Sequence, residues 1–278
     1  MKSIFELEKR TDLKKETLRI ERLLNSKSFY RLYPSYYKSN FEDICNDCFK
    51  AWPDRYTATT LTDYFDLIKL PNYVGSMNEE QYYYYLQFIY NFINWINSHL
   101  NRISNPSTLE YYIAKLAKDN SLIFSTILEN IDLIAELTNF KIEKTDKYYT
   151  FVKRDADVDS ILSIIENEDD LRLALLEYND FRIENNIAQK RIILKKIGDY
   201  LEPLRKEFSS YNKSLNDDIF FMLNKFYIRH NNDGNIKFET ESEYIKWYDY
   251  LFKMMIQLIR TKFVLVKQNE LKHYKSNK

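Results

Sequence analysis

A mostly α-helical fold is predicted by three features of the sequence. The 278 residues include only 3 Gly and 5 Pro, too few for the turns of a β-sandwich or the tight loops of a parallel-sheet enzyme. Apolar residues make up 45% of the chain, with 24 Tyr and 18 Phe among them, and over long stretches they recur every three or four positions, which lines one face of a helix. The apolar/polar alternation that marks strands occurs at one place, 140–154. The expected architecture is therefore a multi-helix body with a single β-hairpin near residues 140–154. An N-terminal helical domain would span 1–139, and a hairpin plus C-terminal helical domain 140–278.

Residues 3–25 carry Ile4, Phe5, Leu7, Leu13, Leu18, Ile20, Leu23 and Leu24 among charges, a helical spacing. The aromatic run FYRLYPSYY precedes FEDICNDCFKAW, a helical pattern that Pro53 closes. Ser76 with Glu79 reads as a capping box for the next helix, as does Ser107 with Glu110 for the one after. QYYYYLQFIYNFINWINSHL (81–100) has membrane-like bulk, but Gln87, Asn91, Asn94 and Ser98 fall on one face, so an amphipathic soluble helix is expected and no membrane span. DNSLIFSTILENIDLIAELTN (119–139) places Leu122, Ile123, Ile127, Ile131, Ile134 and Leu137 at helical intervals. FKIEKTDKYYTFVKR then alternates about a polar turn, the hairpin pattern.

Beyond the hairpin, Val158, Ile161, Leu162 and Ile165 mark one helix, and Ile183, Ile187, Ile193, Leu194, Ile197, Leu201 and Leu204 a second that Pro203 bends. Leu215, Ile219, Met222, Leu223 and Phe226 form the stripe of a third. The last begins at the capping box Thr240/Glu243 and continues through Tyr244, Trp247, Tyr248, Leu251, Met254, Met255, Leu258 and Ile259.

With 41 basic and 41 acidic residues the formal charge is zero, so no global field draws the protein onto nucleic acid or membrane, and RNA or DNA binding would be local. The start, MKSIFELEKRTDLKK, has no signal-peptide core, and the expected location is the cytoplasm. Cys45 and Cys48 have CxxC spacing without a second pair or a nearby His. They read as ordinary helix residues, with zinc shared across a dimer as the competing reading. No resident metal or cofactor is expected. His99 reads as a helix C-terminal cap and His273 as part of a frayed tail.

The order YYTFVKRDADVDSI, LALLEYNDFRIENNIAQKRIILKKIGDYLEPLRKEF, DDIFFMLNKFYIRHNN and a terminal amphipathic helix, over roughly residues 140–265, resembles a family of bacterial abortive-infection proteins. The C-terminal helical domain of that family is similar to the HEPN superfamily. The IRHNN run with EPLRKEF upstream is the most specific element. The resemblance implies phage defence in the cytoplasm, an RNA target, a phage protein as trigger, and a helical bundle that in many relatives is a metal-independent ribonuclease acting as a homodimer. The catalytic pattern of those relatives spaces an Arg four to six residues before a His, whereas here Arg229 directly precedes His230.

If the RHNN run is a site, His230 supplies the acid or base for attack by a 2′-hydroxyl, and Arg229 a cation beside the phosphorane. Asn231 would orient the imidazole, while Asn232 and Lys225 would hold RNA. The competing reading is a helix end: Arg and His near free carbonyls, Asn in the left-handed region, and NNDGN as a turn. Two other classes remain in play. One is a non-catalytic helical module that binds or senses a protein; the other is a DNA-binding regulator acting through Lys144 and Lys147 of the hairpin.

Overall fold

A computed structural model describes residues 12–31, 37–100, 107–145, 148–165, 168–230 and 234–276. The fold is mostly α, as predicted. Its contacts divide the chain into two compact units, Met1–Phe151 and Val152–Lys278. The division falls within the second strand of the predicted hairpin, not at 139/140, because the hairpin packs its side chains on the N-terminal helices.

In the N-terminal unit, helix α1 (Leu13–Asn25) starts where the Asp12 carboxylate accepts from the Lys15 amide, and it buries Leu13, Thr17, Ile20 and Leu24. Strands β1 (Phe29–Arg31) and β2 (Tyr37–Ser39) pair antiparallel, Phe29 opposite Ser39 and Arg31 opposite Tyr37. This second strand pair was not expected; three residues per strand are too few to show alternation. Helix α2 (Phe41–Cys48) follows an Asn40 cap, and α3 (Leu61–Leu67) a Thr60/Asp63 capping box. Helix α4 (Glu79–Asn97) is capped by Asn78 and Gln81, so the Ser76/Glu79 box is corrected. Ser76 sits one turn earlier, where its hydroxyl donates to the Tyr73 carbonyl at 2.7 Å. Helix α5 (Thr108–Asp119) has the predicted Ser107/Glu110 box.

Helix α6 (Ser121–Leu137) buries Phe124, Ile127, Ile131 and Ile134, whereas Leu122 is 81% exposed and Leu137 is exposed as well, off the predicted stripe. Asn139, with φ 63°, then turns the chain left-handed into the hairpin β3 (Phe140–Lys144) and β4 (Tyr149–Lys153).

Two-stranded ladders are marginal in water by themselves, and each of these is gripped by one asparagine. Asn120, 1% exposed, accepts the Tyr30 amide at 2.7 Å and donates to the Tyr30 carbonyl at 2.9 Å. Asn91 does the same for Tyr149, at 2.7 and 2.8 Å. Each also donates to the carbonyl four residues earlier in its own helix. The polar face predicted on α4 is thus a docking face for the hairpin, which Gln87 extends by accepting from Thr150 at 3.1 Å. The opposite face carries the aromatic core, where Trp52 meets Phe49, Tyr64, Phe88 and Phe92 at ring distances of 5.9, 5.1, 5.5 and 5.3 Å. His99, 5% exposed, donates from Nδ1–H to the Trp95 carbonyl at 3.0 Å, the helix-end role its position suggested.

Cys45 and Cys48 are buried free thiols. Burial pushes both thiols up, with the Cys48 Sγ–H donating to the Ile44 carbonyl. Thiolate chemistry is disfavoured there. Among the described residues, no group of three His, Cys, Asp or Glu side chains is placed to hold a metal, and no helix is long and apolar enough to cross a membrane.

In the C-terminal unit, α7 (Ala156–Leu162), α8 (Asp169–Tyr178), α9 (Ile187–Leu201), α10 (Arg205–Tyr211), α11 (Lys213–Lys225) and α12 (Glu241–Ser276) surround one apolar core. Pro203 interrupts rather than bends the predicted long helix: a 3-10 turn, Glu202–Leu204, separates α9 from α10. The Lys190 ammonium, 4% exposed, pairs with Asp249 and lies 4.6 Å from the Tyr178 ring centre, while the Tyr178 hydroxyl donates to Asp249 at 2.9 Å. This trio pins α8, α9 and α12 together.

Asn120→Ala removes the side chain that satisfies the Tyr30 amide and carbonyl and should cost about 2–6 kcal/mol at roughly 1–3 kcal/mol per buried group deprived of its bond. Urea denaturation of the two proteins measures it. A loss below about 0.5 kcal/mol, the range of ordinary surface changes, would mean the ladder does not depend on this grip.

Candidate functional site

The RHNN run follows α11, whose start is capped by Asn212 accepting the Leu215 amide at 3.1 Å. Phe226 closes the helix, its amide donating to the Met222 carbonyl. Tyr227 then adopts φ 61°, so a tyrosine turns the chain left-handed here; the asparagines to which the helix-end reading gave that conformation lie outside the described residues. A side chain in that region costs roughly 1–2 kcal/mol, and several bonds hold the turn against it. The Arg229 amide donates to the Leu223 carbonyl at 3.0 Å, the Tyr248 hydroxyl to the Phe226 carbonyl at 3.0 Å, and the Ile236 amide to the Lys225 carbonyl at 2.9 Å.

The turn aims Arg229 across to the end of α9. Its Nη2 donates to the Gly198 carbonyl at 2.8 Å, Nη1 pairs with Glu202, and Asp199 lies 3.8 Å away. One face of the guanidinium rests on the Phe220 ring, 5.4 Å from its centre. Only 12% of the side chain is exposed. A cation at the negative end of a helix dipole, paired with a carboxylate, is well placed electrostatically. Gly198 makes room for this arrangement, since an added Cβ would meet Leu223 Cδ at 2.9 Å and the Arg229 Nη2 at 3.5 Å.

His230 is exposed, and its backbone carbonyl accepts from the Asn235 amide side chain. Lys225 is exposed, with Nζ 3.4 Å from the Gly234 carbonyl. Asn231 and Asn232 lie outside the described residues. Arg229 and His230 therefore part company, one side chain committed inward and the other facing solvent. The arginine donors face its own chain, which leaves no open fork for a phosphate.

A second feature was missed in the sequence. The stripe of α12 was expected to bury both Trp247 and Tyr248, but Tyr248 is 1% exposed and Trp247 36%. With Tyr250 at 54% and Phe221 at 51%, three large rings reach solvent. They are linked through Phe226, which contacts Phe221 at 6.1 Å and Trp247 at 5.7 Å, and through the Trp247–Tyr250 edge contact at 6.0 Å. Phe226 immediately follows Lys225, so the aromatic face borders the turn.

Searched against family models, curated proteins and solved structures, the chain matches none. In the hairpin, Lys144 lies 5.9 Å from the Tyr149 ring centre and Lys141 pairs with Glu143 at 2.7 Å, while Lys147 lies outside the described residues.

Arg229→Ala should cost about 2–3 kcal/mol, as hydrogen bonds to a charged group are worth roughly 1.5–3 kcal/mol. His230→Ala should stay within about 0.5 kcal/mol of wild type. Gly198→Ala should lower stability despite the better helix propensity of Ala, because overpacking costs about 1–3 kcal/mol against a gain of about 1. Thermal and urea unfolding of the three variants test the set; equal stability of Arg229→Ala and His230→Ala would contradict the inward role of Arg229.

Proposed function

We propose that the chain is a cytoplasmic phage-defence protein of the abortive-infection type whose HEPN-like C-terminal unit binds single-stranded RNA without cleaving it. The observation that carries this reading is the exposed set Phe221, Trp247 and Tyr250 bordering a turn that presents Lys225 and His230. Aromatic platforms interleaved with cations suit single strands, since every base offers a face to stack and the backbone a charge to pair. The commitment of Arg229 to Glu202 and Gly198 argues against cleavage, which needs a cation free to meet the phosphorane. Action as a homodimer and release by a phage protein belong to the same proposal. A protein partner on the aromatic face is the second reading, favoured by the zero net charge and by how often exposed Trp and Tyr anchor interfaces.

The test is fluorescence anisotropy with a labelled single-stranded RNA 12-mer, followed by a denaturing gel of the same samples in EDTA. Wild type should bind and leave the RNA intact. Trp247→Ala and Tyr250→Ala should each weaken binding about 5- to 150-fold, the equivalent of roughly 1–3 kcal/mol per stacked base. Cleavage by wild type that vanishes in His230→Ala would replace this reading with the ribonuclease, and no binding at all would favour the protein partner.

A further inference from the structure

The N-terminal unit holds an open cleft of about 350 Å³ between α1, α2, α3 and α4. That volume lies at the lower end of small-molecule pockets, roughly 300–1,000 Å³. Its walls are aromatic and its charge is of one sign. Phe41, Phe65 and Phe88 line it, Phe65 meeting Phe88 edge-on at 5.3 Å and Tyr85 at 6.1 Å. Among the described lining residues, Glu21 and Glu42 bring two carboxylates, and no Lys, Arg or His is present.

Among the described residues, the Tyr85 hydroxyl and the Glu21 and Glu42 carboxylates have no hydrogen-bond or ion-pair partner, and Asn25, Thr62 and Asn72 add further polar atoms to the lining. Tyr85 is 8% exposed, yet its hydroxyl makes no hydrogen bond to any described residue. Neither Glu21 nor Glu42 forms an ion pair or accepts a hydrogen bond among the described residues. Burial pushes the Glu21 carboxyl up, a push that its chain neighbour Arg22 only partly opposes, and both carboxylates add to the upward shift of Tyr85 that burial begins. Of the three, Tyr85 is the buried one, Glu21 is half-buried and Glu42 is exposed at the mouth, and a buried polar group without a partner is costly unless something supplies one.

We propose that this cleft is a binding site for a small organic cation of the primary-amine class. Its ammonium donates to Glu21, Glu42 and the Tyr85 hydroxyl, and its hydrocarbon part lies on Phe41, Phe65 and Phe88. Three N–H donors match three acceptors of this kind, and the ring faces attract the cation by their quadrupoles. Among the described residues no third carboxylate, His or Cys joins Glu21 and Glu42 in an arrangement that could hold a metal ion, and the rings offer an organic cation a face that a hydrated metal does not use. A quaternary ammonium would meet the rings but leave the oxygens without donors. The cleft lies in the N-terminal unit and owes nothing to the RNA-binding face of the C-terminal one.

The experiment is calorimetric titration of the full chain with benzylamine, benzyl alcohol and benzyltrimethylammonium, with melting temperatures recorded for every variant. Benzylamine should bind about tenfold or more tighter than either analogue, as expected for charge-assisted hydrogen bonds that the analogues cannot make. Glu21→Gln should lower benzylamine affinity at least about tenfold without lowering the melting temperature, since it removes a half-buried charge. Tyr85→Phe, a second and independent variant, should weaken binding several-fold, and Trp247→Ala should leave it unchanged. Equal affinity for benzylamine and benzyl alcohol would overturn the assignment. So would undiminished benzylamine binding in folded Glu21→Gln and Tyr85→Phe, or no heat from any probe at millimolar concentration.

Discussion

The bond from Arg229 to the end of α9 is the constraint on which the C-terminal unit's candidate site depends. At the end of α9 the Gly198 carbonyl, which already accepts the Glu202 amide, also accepts from Arg229, and the Glu202 carboxylate pairs with the same guanidinium. Reaching that end requires the chain to leave α11 through Tyr227 in a left-handed conformation, and it requires a residue without a Cβ at 198. Each of these features would be unfavourable alone. Together they fix where Lys225 and His230 emerge, so the surface available for binding follows from an internal electrostatic match.

A similar economy governs the N-terminal unit. Its helices are long and rich in aromatic side chains, and its two ladders are short, so the ladders borrow their stability from asparagines on α4 and at the end of α5. Each asparagine side chain presents a donor and an acceptor in the spacing of a peptide group, which lets it stand in for a neighbouring strand. Arg31 adds a polar tie, pairing with Asp47 of α2, which also accepts from the Tyr112 hydroxyl of α5 at 2.6 Å. The aromatic core then fills the space between, with few glycines needed anywhere.

The helices were legible because their periods are long and their caps local: Ser107/Glu110, Thr240/Glu243 and the 140–154 hairpin stand where the pattern places them. Ser76 and Asn78 are both good caps two residues apart, and local chemistry alone does not choose between them. The β1–β2 ladder escaped because strands of three residues carry no period, and its register depends on Asn120, 90 residues away from Tyr30. Arg229 and His230 could be found as a pair of polar residues, but their opposite fates depend on Gly198 and Glu202, 31 and 27 residues earlier. The amine cleft draws on four helices and has no local sequence mark at all.

Both candidate surfaces are aromatic and bordered by sparse charge, and at the turn after α11 the Arg229 guanidinium is committed to its own chain. The most direct test of that account is the ¹⁵N NMR spectrum of the Arg229 guanidinium, recorded alone and with single-stranded RNA. Slow rotation about its Cζ–N bonds and resonances that RNA leaves in place are the predicted result. A freely rotating guanidinium whose signals shift on adding RNA would contradict it and return Arg229 to the phosphate.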